Sequence, residues 1–258
     1  MSSATASGRW LFCRTARRNP RLRLFCVPFA GTGASAFNDW PRAFPDTVEL
    51  YAIQLPGRES RYREPALSDA HEAARLLADA IEPYLDRRYV FFGYSMGALI
   101  AFELIRELRR RGAPMPAQFF VGAWRSPQLG ATCPPLAWLP RDAFLKQVRD
   151  YYEPPWQAWQ NPDLLEIVLP VLRADMALCE SYVYRRERPF GFPIQAFAGL
   201  RDRSVPISAV QAWREQTTGE FALEAFDGAH FFVNASLARV QQVMITRLEQ
   251  ILHGAAPS

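Results

Sequence analysis

The sequence predicts an α/β fold in which helices cover both faces of a mostly parallel central sheet. Runs that are apolar at nearly every position, such as residues 22–28 and 89–92, read as strands buried on both faces, as parallel strands are. Between them lie stretches with apolar residues at helical spacing, and strand alternating with helix is the mark of a layered α/β domain. The alternation breaks between Val121 and Pro193, where a helical, aromatic-rich stretch predicts an insertion lying over the sheet.

Residues 22–28 form the first strong strand, ended by Pro28 and a glycine-containing loop. Residues 48–55 form the next, stopped by Pro56 and Gly57. Asp69 is placed to cap a helix, with Glu72 three residues on and Ala73, Leu76, Leu77, Ala80 and Ile81 following at helical spacing. Residues 89–92 run into Gly93, and a helix follows over 98–111 with Gly112 at its C-cap. Strands return at 119–121, 193–197 and 221–225, and a last helix spans about 235–252. The insertion carries Trp138, Phe144, Tyr151, Tyr152, Trp156, Trp159, Tyr182 and Tyr184, each of which reads equally as pocket lining or as added core. A single domain over 21–258 is expected, with a lid insertion at about 133–190 and a flexible N-terminal extension over 1–20.

The chain has 258 residues, 49% hydrophobic and 22% charged, enough for one large core. Its formal charge is +4 and nearly all its cations are arginine, Lys146 being the only lysine. Arg109, Arg110 and Arg111 close a predicted helix, where cations complement the helix dipole. The looser stretch Arg14, Arg17, Arg18, Arg21 and Arg23 lacks the interleaved stacking aromatics of single-strand binders, so nucleic acid is not an expected partner. Cys13, Cys26, Cys133 and Cys179 are scattered without metal-ligand or redox spacing. They read as reduced cysteines in a cytoplasmic protein with no metal. Residues 1–20 lack an apolar signal core, and the apolar runs are too short to span a bilayer.

Gly93-Tyr-Ser95-Met-Gly97 sits between a strand and a helix, the setting in which a G-x-S-x-G motif exposes a serine on a sharp turn. A serine hydroxyl needs a neighbouring base, and the chain has three histidines. His71 falls in the first turn of a predicted helix and His253 in the C-terminal tail, whereas His230 lies between the last strand and the last helix, where the hydrolase order places the base. For the acid, Asp202 directly follows the strand at 193–197; Asp227 shares the histidine's own loop and reads as a turn former, and Asp175 falls in the insertion. The α/β-hydrolase fold with Ser95, His230 and Asp202 as a triad is therefore expected. The oxyanion needs two backbone N–H groups: Met96, after the nucleophile, and Phe29 or Ala30 from the loop after the first strand. That loop also holds Gly31-x-Gly33-x-x-Ala36, which mimics a dinucleotide fingerprint but lacks the acid expected at the end of the next strand, so no cofactor is expected.

With these residues placed, residues 22–252 resemble the type II thioesterases, editing hydrolases of polyketide synthase and nonribosomal peptide synthetase systems. The resemblance is carried by Pro-Phe-Ala-Gly at 28–31, Leu-Pro-Gly-Arg-Glu at 55–59 with Arg61 and Glu64, the serine motif, Leu-Arg-Ala-Asp at 172–175, and residues 199–202 and 228–232. Thr32 replaces the family's usual second glycine, and Trp124 stands where a smaller residue commonly precedes Arg125. The resemblance implies an acyl thioester substrate on the phosphopantetheine arm of an acidic carrier protein, hydrolysed through an acyl-enzyme. It implies a lid over an apolar chamber, for which Trp124, Trp138, Tyr152 and Trp156 are the candidate lining residues. A monomer is expected. An esterase or lipase of small oxyesters, or an acyltransferase, would use the same triad; a carrier-binding protein without turnover would have no use for it.

Overall fold

The structure is a computed structural model and describes residues 9–131, 133–154 and 161–254. Seven strands form one sheet: β1 (Leu11–Phe12), β2 (Leu22–Val27), β3 (Val48–Ile53), β4 (Arg88–Tyr94), β5 (Gln118–Gly122), β6 (Ile194–Gly199) and β7 (Phe221–Phe226), in the order β1-β3-β2-β4-β5-β6-β7. All neighbours run parallel except β1, which pairs antiparallel with β3 through Leu11–Ile53 and Phe12–Ala52. Every residue of β2, β5 and β6 is buried, which explains why these strands read as apolar at nearly every position. Within the expected N-terminal extension, Leu11 and Phe12 form the edge strand β1. Two residues of strand are too short to show a periodicity, yet Leu11 is buried in the core, and the Trp10 carbonyl accepts the Gln54 N–H.

Helices α1 (Ala70–Ile81) and α2 (Met96–Arg110) pack on one face, with the core of that face running through Phe25, Phe91, Phe119, Leu77 and Leu104. Asp69 caps α1 by accepting the Glu72 N–H at 2.7 Å; such a cap stabilises by about 1 kcal/mol. Gly112 ends α2 at φ 69°, and the following Ala113 N–H returns to the Leu108 carbonyl. The second face is covered by α7 (Leu237–His253), through Val240, Met244 and Leu248, together with Phe37 and Trp40.

Between β5 and β6 the chain forms α3 (Arg141–Tyr152) and α4 (Pro162–Ser181), and beyond β6 the short α5 (Ile207–Gln211). The aromatics of this segment divide. Phe144 is core, Tyr182 donates to the buried Glu103, and Tyr184 packs on Phe102. Trp138 corrects the expectation of a pocket residue: it is 88% exposed. Leu136 and Ala137 turn inward because Glu180 accepts both their N–H groups, and the Leu139 N–H closes a turn onto Leu136, leaving Trp138 pointing out. Trp156 and Trp159 lie outside the described residues.

Several of the arginines are engaged in folding contacts. Arg109 and Arg110 pair with Glu187, Arg111 with Glu107 and Asp79, Arg17 with Asp46, and Arg23 with Asp86. Among the described residues no helix is long and apolar enough to cross a membrane, and no cluster of side chains could hold a metal.

Candidate active site

Ser95 lies between β4 and α2 at φ 52° and ψ −125°, a conformation that side-chain-bearing residues rarely adopt. Such backbone costs on the order of 1–3 kcal/mol and persists only where the surroundings fix it. Here the Ser95 N–H donates to the Gly122 carbonyl at 2.8 Å, and its own carbonyl accepts the Ala98 N–H at 2.8 Å. The flanking glycines follow from close approach. A Cβ at Gly93 would stand 2.5 Å from the Gly97 carbonyl oxygen, and one at Gly97 would press into the carbonyls of Val27 and Pro28.

The three predicted side chains meet at the carboxyl edge of the sheet. His230 Nε2 is 2.9 Å from Ser95 Oγ, and His230 Nδ1 is 2.8 Å from Asp202 Oδ2. Ser95 is 6% exposed and His230 1%. Asp202 hangs from the loop after β6, and His230 from the loop between β7 and the short α6 (Phe232–Ala235). These loops are stitched together, Leu200 N–H to Phe226 and Arg201 N–H to Gly228. Gly199 permits it, since a Cβ there would lie 2.6 Å from the Ala229 carbonyl oxygen.

The second Asp202 oxygen, Oδ1, accepts the N–H groups of Ser204 and Val205 at 2.9 and 3.0 Å and the Ser204 hydroxyl at 2.7 Å. Burial pushes the Asp202 carboxyl up, but His230, Ser204 and the Val205 N–H outweigh it and hold it below the usual carboxylate range. Two contributors were not singled out from sequence. The Ser204 hydroxyl also lies 3.0 Å from His230 Nδ1, and the Tyr94 hydroxyl donates to the His230 carbonyl. An Asp-x-Ser turn after a strand is the signal that could have found Ser204; the Tyr94 contact spans 136 residues and leaves none.

The other candidates fall elsewhere. His71 sits on α1, with Nδ1 3.2 Å from Glu103. His253 ends α7 rather than lying in a tail, with Nδ1 2.8 Å from the Glu249 carbonyl. Asp227 is surface-exposed and paired with Arg201. Asp175 is fully buried and makes a two-pronged ion pair with Arg58 at 2.7 and 2.8 Å.

Over Ser95 lies a narrow cleft that opens to solvent. Phe29, Ala30, Met96 and Trp124 line it from the sheet side, and Val148, Tyr152, Met176 and Cys179 from α3 and α4. The Tyr152 ring stands edge-on to His230, centroids 4.9 Å apart. Cys179 also faces this space, but burial, with Asp175 nearby, drives its thiol far up, so it stays protonated. Met96 is the first residue of α2, where backbone N–H groups have no partner within the helix. The glycine-rich loop is no phosphate cradle: its N–H groups at Gly31, Ala34 and Ser35 already donate to Asp175, Gln54 and Glu59.

A buried serine–imidazole–carboxylate relay at a strand-to-helix elbow defines a serine hydrolase of the α/β-hydrolase class. Comparison narrows it. A family profile described as a thioesterase domain matches residues 22–251. Gramicidin S biosynthesis protein GrsT of Aneurinibacillus migulanus is 36% identical over 252 residues, covering 98% of each chain. RedJ, the thioesterase from the prodiginine biosynthetic pathway in Streptomyces coelicolor, is 37% identical with a TM-score of 0.83, over 88% of this chain and 90% of its own. The type II thioesterase BorB, from the borrelidin biosynthetic cluster, is 28% identical with a TM-score of 0.86, over 93% of this chain and 97% of its own. The chain belongs to the thioesterase family, in its type II branch.

Proposed function

We propose that this thioesterase hydrolyses acyl groups from the phosphopantetheine arm of a carrier protein, clearing aberrant or stalled chains from a polyketide or nonribosomal peptide assembly line. The observation that carries the reading is the Ser95–His230–Asp202 relay opening into an apolar cleft, in a chain whose relatives serve such pathways.

Ser95 Oγ attacks the thioester carbonyl carbon as its proton passes to His230 Nε2, and Asp202 holds the Nδ1 proton so that Nε2 is free to accept. The resulting oxyanion is met by the Met96 N–H and by one from the 28–34 loop, that of Phe29 or Ala30. The C–S bond breaks and the sulfur leaves, taking the proton from His230. An ordinary thiol has a pKa of about 8.5, so this departure needs less help than that of an alcohol. Water then attacks the acyl-enzyme with His230 as base, releasing the acid and restoring Ser95. The apolar faces of Phe29, Trp124, Val148, Tyr152 and Met176 suit an acyl chain, with α3 and α4 acting as the lid.

The test loads a carrier protein with acetyl, propionyl and longer acyl groups and follows each by intact mass, beside a simple oxyester. Loss of the acyl mass with return of the free thiol is expected, slowed by added salt if cationic residues receive the acidic carrier. No release from any carrier, or a higher kcat/KM on the oxyester, would overturn the reading.

A further inference from the structure

Two segments far from the relay in sequence, 55–59 and 172–175, meet at one buried contact that also touches the loop bearing Phe29 and Ala30. Arg58 Nη1 and Nη2 donate to the two oxygens of Asp175 at 2.7 and 2.8 Å, and Asp175 Oδ2 also accepts the Gly31 N–H at 2.7 Å. Arg58 reaches back to the Thr32 carbonyl at 3.2 Å, and Gln54 holds the Arg58 carbonyl and the Ala34 N–H. A buried charge pair is a poor source of net stability, because desolvation offsets its attraction. It does fix geometry, since a bidentate guanidinium–carboxylate pair tolerates little rotation.

What it fixes is one peptide plane. The Phe29 carbonyl accepts both the Thr32 hydroxyl at 2.8 Å and the Thr32 N–H at 3.3 Å. Carbonyl and N–H point opposite ways across a trans peptide, so the Ala30 N–H is turned away from Thr32. Ala30 joins that peptide to the one whose N–H Asp175 holds, and Gly31, at φ 74°, turns the chain from there back to Thr32.

We infer that Asp175 is a positioning residue for catalysis: locked by Arg58, its carboxylate holds Gly31 and so sets the Phe29–Ala30 backbone for the oxyanion. Thr32 acts with it from the other end of the turn. Because Asp175 rides on α4, one helical position from Met176 in the cleft wall, the wall and the oxyanion loop are held by the same strut. The inference rests on Ser95 as nucleophile.

The experiment compares wild type with Asp175→Asn, Arg58→Lys and the double variant Arg58→Met/Asp175→Leu. It measures kcat, KM, melting temperature and the affinity of two probes. One is a trifluoromethyl ketone analogue: Ser95 Oγ adds to its carbonyl carbon, the proton passes to His230 Nε2, and an oxyanion forms. The other is an inert amide analogue that fills the cleft without reacting. Asp175→Asn keeps an oxygen for Gly31 but loses one prong of the Arg58 fork, and is expected to lose about fivefold in kcat, less than the variant that removes the acceptor. The double variant removes that acceptor and should lose about 10- to 100-fold in kcat. Its ketone affinity should fall in parallel, with amide affinity within about twofold. Arg58→Lys, which keeps the charge but loses the fork, should show the same pattern at about tenfold and decides the matter if the double variant does not fold. Ketone affinity unchanged while melting temperature falls, or amide affinity falling as far as ketone affinity, overturns the inference. Retained turnover in Ser95→Ala would instead sink the nucleophile assignment.

Discussion

Replacing Asp202 by asparagine exchanges one carboxylate oxygen for an NH₂ group, and the structure dictates which. Oδ1 accepts three donors, the Ser204 and Val205 N–H groups and the Ser204 hydroxyl, whereas Oδ2 faces His230 Nδ1 alone. An asparagine keeps its oxygen toward the backbone N–H pair, because the reverse would oppose N–H to N–H in a buried site. Its NH₂ group is then aimed at Nδ1, which must become an acceptor. The proton of neutral His230 moves to Nε2, the nitrogen 2.9 Å from Ser95 Oγ, and the base is lost. The expected fall in kcat is about 10³- to 10⁴-fold with the fold intact. The assay is thiol release from a short acyl thioester, with circular dichroism and melting temperature as controls. A folded variant within tenfold of wild type would refute the tautomer argument.

Other perturbations separate folding from chemistry. Gly97→Ala forces a Cβ into the carbonyls of Val27 and Pro28, so a loss of at least about 3 kcal/mol or failure to fold is expected in urea titration. Tyr94→Phe leaves the buried His230 carbonyl without its hydroxyl partner; about 1–3 kcal/mol should be lost in the same titration, with kcat down several-fold. Glu187 is held down to about 2: burial works to raise it, but Arg106 and Arg109 prevail. A carboxyl depressed in the folded state adds stability above its ordinary value that drains away as pH falls toward 2. Glu187→Gln should therefore lower stability by about 2 kcal/mol at pH 7 and flatten its decline between about pH 4.5 and 2.

Much of the architecture was legible because its causes are local. Strands buried on both faces are apolar at most positions, and β2, β4, β5 and β6 are, with Arg23, Arg88, Gln118 and Gln195 as their polar exceptions. Only one of three histidines stood between a last strand and a last helix, and Asp202 stood at the end of β6. What stayed hidden depends on distant parts of the chain meeting. Arg58 and Asp175 are separated by 117 residues and Tyr94 and His230 by 136, and no periodicity encodes such contacts. Trp138 failed as a pocket residue for a related reason, since an aromatic in an irregular turn has no helical face to give its direction. The two-residue β1 is recognisable only from its pairing with β3.

The central claim is that Ser95, and not the neighbouring Cys179, carries the acyl group through the reaction. Rapid quenching of the enzyme with an acyl-loaded carrier, followed by proteolysis and fragment mass analysis, tests this directly. An acyl mass is expected on the peptide containing Ser95, absent in Ser95→Ala along with turnover. Acyl mass on the Cys179 peptide, or turnover persisting in Ser95→Ala, would contradict it.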